Sequence, residues 1–352
     1  MLRLPEDMTS EWRDDSLAQT ASNASLQRDT LLVFLGEVRT LTNVYTTFLK
    51  TCAGQGFHCI VLPWPNTLFA QIACSSVGGE CVPFYREQVI TGKKLTSVLT
   101  LSLEDSIEAR LERALARALK ERPLEGWGQF VNSAWRKAVA FAGTGEGATY
   151  VAFWACAINE AQRVVLFDGP VDRDPKTEVS AAWISSAACK TPKDRFFAMY
   201  HRASDRCAAA VASLTSLGVR DDATEIAAYV VEKPDTIQSW CNIDPQRVCT
   251  NLVSRSKLRI DSGRSVVEDS QLPVLLDGTV EYTRVWQQLL GSNAPCPASN
   301  RTTARGTCTC TAEPGVDPVA IGLAVGLSLL VIALIALGVF LWRRKKKAKG
   351  GW

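Results

Sequence analysis

"VAFAGTGEGATYVAFWA", Val139 to Ala155, places an apolar run, a glycine-crowded turn and a second apolar run end to end. The spacing predicts a buried strand, a tight turn and a helix. Three chemistries commonly use a glycine-rich strand-to-helix turn. A dinucleotide site needs G-x-G-x-x-G at the first strand, whereas Gly143, Gly145 and Gly147 give G-x-G-x-G after a third or fourth strand. Asp168 is the one acid near the ribose-binding place. A phosphate-binding P-loop requires Lys-Ser/Thr after the last glycine, and none follows. The third use is a nucleophile elbow, G-x-S-x-G, in which flanking glycines let a sharp turn lift the central side chain above the sheet. Gly143 and Gly147 occupy the flanks, and Gly145 stands where the nucleophile belongs.

Outward from this turn, strand and helix patterns alternate. "TLLVFLG" reads as a strand, "LTNVYTTFLKTCAGQG" as a helix and "FHCIVLPWPN" as a strand. Asp105 to Arg122 is the clearest helix, with Ile107, Leu111, Ala114, Leu115, Ala118 and Leu119 on one face. Asp105 and Glu108 resemble a capping box at its start, and Pro123 ends it. "RVVLFDGP" and "RFFAMYH" are further strands, Asp205–Leu217 a helix stopped by Gly218, "AAYVVE" a candidate strand and Glu281–Leu290 a closing helix. The pattern predicts an α/β fold, a doubly wound and mostly parallel sheet over residues 30–291. Residues 1–29 are polar without a period and are expected to form an N-terminal arm.

Several stretches resemble, in order, a branch of hydrolase-like bacterial and eukaryotic proteins in the α/β-hydrolase superfamily. They are "LLVFLGEV", "GFHCIVLPWPN", "YREQVITGKKLT", "DSIEARL", "RVVLFDGPVD", "TPKDRFFAMYHRASD", "GRSVVEDSQLP" and "YTRVWQQLL". The resemblance implies a turn like A-G-H-S-Q-G-A-G with a serine nucleophile. Here that position maps to Gly145, within Gly143, Thr144, Gly145, Glu146 and Gly147. The acid maps to Asp205, with Asp168, Asp172 and Asp174 as alternatives. The base should be a histidine late in the domain, but no histidine follows His201, and Gly263 stands about where it belongs. Oxyanion-hole donors are expected near Gly36, Glu37 and Glu146. A triad needs an imidazole to take the hydroxyl proton and an acid to orient it, so two of three parts are missing. The resemblance therefore implies a pseudoenzyme that binds or senses. The alternative is an ester or amide hydrolase using Thr144, or Thr149, with His201 and Asp205. His58 reads as a core histidine, and no cofactor is expected.

Val319 to Trp342 is a run of 24 residues without a charge. At 1.5 Å per residue it spans roughly 36 Å, enough to cross a hydrocarbon core, and it is predicted to be a transmembrane helix. Gly322 and Gly326 form a G-x-x-x-G pattern, a candidate homodimer face. Residues 343–352 follow with six basic side chains and no acid, a predicted cytoplasmic tail. Removing those six from 39 leaves 33 basic residues against 36 acids, so the net +3 belongs to the tail and gives no support to nucleic-acid binding.

Residues 292–318, rich in Pro, Thr, Ser and Cys, are predicted to be a stalk. Twelve cysteines with only two histidines and no CxxC favour disulfides over zinc. No metal is expected, and the pairing stays open. Asn23 and Asn300 begin glycosylation sequons. The first fifteen residues lack a signal-peptide h-region, so two topologies remain. In one the domain is lumenal or extracellular; in the other a tail anchor leaves it cytosolic. The cysteines favour the first. The expected partners are the lipid bilayer and a ligand or protein.

Overall fold

The structure is a computed structural model that describes residues 1–4, 16–20, 27–65, 67–77, 80–173, 179–185, 187–220, 224–226, 246–250, 263–274, 280, 282–291 and 310. The apolar runs form the centre of a sheet: β3 (Leu31–Leu35), β4 (His58–Leu62), β5 (Val139–Thr144), β6 (Arg163–Phe167), β7 (Phe196–His201) and β9 (Arg247–Thr250). With β1 (Leu2–Leu4), β2 (Ser16–Gln19) and β8 (Thr224–Ile226), the described strands join in the order β1-β2-β4-β3-β5-β6-β7-β9-β8. β1 and β2 run antiparallel and the other seven are parallel. This is the mostly parallel α/β sheet expected from the alternation.

Strands buried on both faces are apolar throughout, and each face takes alternate side chains. Leu31, Val33, Leu35, Phe141, Val164 and Leu166 pack on one side. They lie against α3 (Cys81–Thr91), α4 (Ile107–Glu121), α5 (Glu146–Phe153) and α7 (Cys207–Leu217). Leu32, Phe34, Val61, Val165, Phe167 and Met199 pack on the other, against α1 (Thr46–Gly54) and α8 (Thr283–Leu289). Two four-residue helices, α2 (Ala70–Ala73) and α6 (Ala182–Ser185), lie in the connections. The elbow turn thus ends a central strand and opens a helix packed on one face.

Two readings change. The expected polar arm supplies β1 and β2: Ser16, Leu17 and Ala18 are buried, and Leu17 pairs in register with Val61 of β4. Segments of three or four residues are too short to show a period. The cap of α4 is Ser106, whose hydroxyl accepts the Ala109 N–H at 3.3 Å. Asp105 instead pairs with the buried Arg110 guanidinium at 2.9 Å.

Four disulfides join described residues: Cys52–Cys59, Cys74–Cys81, Cys156–Cys189 and Cys207–Cys310. Cys249 is disulfide-bonded as well. The first two bridges each close a short loop of chain, with a sequence separation of 7. Among the described residues no helix is long and apolar enough to cross a membrane. The predicted span 319–342, the tail 343–352, the stalk apart from Cys310, "AAYVVE", Asp174, Asn23, Asn300, Gly322 and Gly326 lie outside the described residues.

Candidate functional site

The turn after β5 has elbow geometry. Gly145 sits at φ +54°, ψ −116°, a backbone state that side chains rarely adopt. A Cβ on Gly143 would approach the Gly147 carbonyl carbon to 2.7 Å, and one on Gly147 would overlap the Leu35 and Gly36 carbonyls. Both flanking glycines are therefore required by close packing of β5, β3 and α5, as an elbow demands. A Cβ on Gly145 itself would overlap the Glu37 carboxylate and the Arg206 guanidinium. The nucleophile's place is not empty; it is filled by an ion pair.

Glu37 follows the end of β3 and is buried. Its Oε1 accepts the backbone N–H of Val38 at 2.6 Å and that of Glu146 at 3.4 Å. These are the two kinds of donor that form an oxyanion hole at an elbow: the residue after the nucleophile and the loop after β3. Its other oxygen pairs with Arg206, which lies just before α7. Of the residues expected at the hole, Glu146 contributes its N–H, Glu37 contributes its carboxylate, and the second N–H comes from Val38, two residues past Gly36. The loop is fixed locally. The Glu37 N–H donates to the Tyr45 hydroxyl at 3.0 Å, and the Thr40 hydroxyl donates to the Glu37 carbonyl at 2.7 Å.

The base's place is filled in the same way. A Cβ on Gly263 would overlap the Asp168 carboxylate. Asp168 directly follows β6, at φ +49°, and its Oδ2 accepts the Ser204 hydroxyl at 2.9 Å. Oδ1 is buried with no hydrogen-bond partner among the described residues. Burial pushes this carboxyl up to about 7, against the opposing pull of Ser204 and Arg206. Asp205, the acid expected from the resemblance, is exposed.

Beneath the elbow lies a second ionic cluster. Arg86 of α3 is fully buried, with Nη1 on Glu146 at 2.7 Å and Nε on Asp172 at 3.0 Å. Asp172 also accepts from Gln71 at 2.7 Å and from the Trp183 indole at 2.6 Å. Burial alone would depress the Arg86 guanidinium, but Asp172 and Glu146 hold it well above its ordinary value. Glu146 thus turns its side chain to this cluster and its backbone N–H to the other.

The remaining candidates lie apart. Thr144 is buried and level with Phe167 of β6, while His201 is on β7, two strands away. Two strand spacings put about 10 Å of sheet between their backbones. The His201 Nδ1 accepts the Ala203 N–H at 3.1 Å. Thr149 is tied into the loop, accepting the Val171 N–H at 2.9 Å. His58 is in the core, with Nε2 2.7 Å from the Glu125 carbonyl and its pKa lowered by burial. No group of three or more metal-ligating side chains occurs among the described residues. Sequence reasoning did not find Arg206, Arg86 or Ser204. Charges far apart in the chain give no pairing signal; the one local hint was an acid, Glu37, directly after an apolar strand and a glycine.

No protein-family model matches the chain, and no curated protein is similar to it. Among solved structures, esterase B from Lactobacillus rhamnosis is 10% identical at a TM-score of 0.35, covering 60% of this chain and 68% of that one. Esterase 2 from Thermogutta terrifontis is 11% identical at 0.32, covering 62% and 79%. The acylaminoacyl peptidase of Pyrococcus horikoshii is 8% identical at 0.38, covering 75% and 38%. The mostly parallel sheet and the elbow after β5 resemble the arrangement of an α/β-hydrolase fold.

Proposed function

We propose that the chain is a single-pass membrane protein whose α/β-hydrolase-like domain lacks hydrolase chemistry and acts by binding or sensing. The observation that supports this most strongly is the Glu37 carboxylate, which takes the space of the nucleophile and the two N–H donors meant for a developing oxyanion. A fixed negative charge there opposes the charge that acyl transfer must develop. Gly145 and Gly263 leave no hydroxyl and no imidazole at the two reacting positions. The disulfides support a domain on the lumenal or extracellular side, with residues 319–342 crossing the bilayer and the basic tail in the cytoplasm.

The test is reaction of the full-length chain with a serine-directed fluorophosphonate and with short-chain p-nitrophenyl esters. No labelling and no turnover are expected. Ester turnover that Thr144→Ala abolishes would overturn the reading in favour of the threonine hydrolase. Reviving the site requires Gly145→Ser, Gly263→His and Glu37→Ala together, because the serine alone would collide with Glu37.

A further inference from the structure

The cluster at Gly145 has the form of an occupied receptor. Three donors converge on one carboxylate from three separate parts of the chain: the Val38 N–H, the Glu146 N–H at the start of α5, and the Arg206 guanidinium. A guanidinium joined by backbone N–H groups at a helix N-terminus is a common way to hold an anion. The two backbone donors are held by the sheet, by α5 and by the Tyr45 and Thr40 hydrogen bonds to the Glu37 backbone. The bound carboxylate is carried on the two methylenes of a glutamate stem. Its backbone can stay in place while the side chain leaves.

We infer that this pocket is a receptor for a monocarboxylate bearing an apolar group, with Glu37 as a resident ligand that the incoming carboxylate displaces. The inference rests on the binding role proposed above. Exchange of one carboxylate for another keeps Arg206 paired and releases Glu37 to water, so no charge is left buried alone. Access is through Arg206, whose side chain is 28% exposed, whereas Glu37 is nearly closed off. The Arg206 guanidinium lies 5.6 Å from the centre of the half-buried Phe69 ring, and Leu68 beside it is exposed. That wall suits an apolar substituent next to the carboxylate. One guanidinium and two backbone N–H groups match a single carboxylate, which sets the class of ligand.

The test is calorimetric titration of the full-length chain with benzoate, and with benzyl alcohol as the neutral analogue. A tethered competitor acts at an effective concentration on the order of millimolar or more. Glu37→Ala is therefore expected to bind benzoate at least ten times more tightly than the wild type, with no gain for benzyl alcohol. Adding Arg206→Met to Glu37→Ala should remove the gain. A folded Glu37→Ala chain that binds benzoate no better than the wild type overturns the inference. Should that variant not fold, Glu37→Gln keeps the volume while losing the charge held by Arg206, and a gain below threefold overturns the inference equally. Ester turnover by the wild type would sink the binding role but leave the titration readable. A null titration without turnover sinks only the receptor.

Discussion

Two ionic clusters meet at Glu146, and they are built differently. Around Arg86 every charged group is buried, and Asp172 is filled by a guanidinium, an amide and an indole. Around Arg206 one partly exposed guanidinium serves Glu37, while Asp168 keeps an oxygen without a partner among the described residues. A saturated buried network specifies a structure, because any member removed strands the others. A cluster with spare capacity near solvent has room to exchange partners. The Arg86 cluster thus reads as the foundation of the elbow and the Arg206 cluster as its working surface.

The comparison breaks most readily at Arg86. Arg86→Met strands two buried carboxylates and should cost about 3–5 kcal/mol in chemical denaturation; a loss below 1 kcal/mol would deny it a structural role. Asp168 gives the next effect. Its folded pKa of about 7 lies above the ordinary carboxylate value of 3.8. The folded state therefore holds a proton that the unfolded state has released. This stability is fully present below pH 3.8 and is lost as pH rises through 7. Asp168→Asn should melt higher than the wild type at pH 8, by up to about 4 kcal/mol, with the difference closing toward pH 4. An equal difference at both pH values would show that Asp168 is ionised in the fold throughout.

The smallest effect sharpens the Arg206 side. Gly145→Ala forces a side chain into a strained backbone state and against Glu37, at about 1–3 kcal/mol. Glu37→Ala in the same chain removes the collision, so the double variant should recover about 1 kcal/mol relative to the sum of the single losses. Strict additivity, measured in a double-mutant cycle, would show that Glu37 does not fill that space.

The elbow was legible because its glycines are a local requirement: three fall at alternate positions between a strand and a helix, and each is needed where it stands. The alternation of β3, β4, β5, β6 and β7 with helices was legible for the same reason, through continuous apolar runs. What fills the site was not. Glu37 and Arg206 are 169 residues apart, and Asp168 reaches Gly263 only after the sheet has brought β6 and the chain beyond β9 together. β1 and β2 were missed because β2 gains its place from the edge of β4 and not from its own pattern.

The Cys207–Cys310 bridge spans 103 residues of chain. A protease that cuts anywhere between residues 292 and 309 severs the backbone but leaves everything beyond Cys310 covalently attached to the start of α7. Separating the two pieces of such a cut chain then requires two chemistries, hydrolysis of the peptide bond and reduction of the disulfide, and with the bridge intact the cleaved protein stays one covalent molecule.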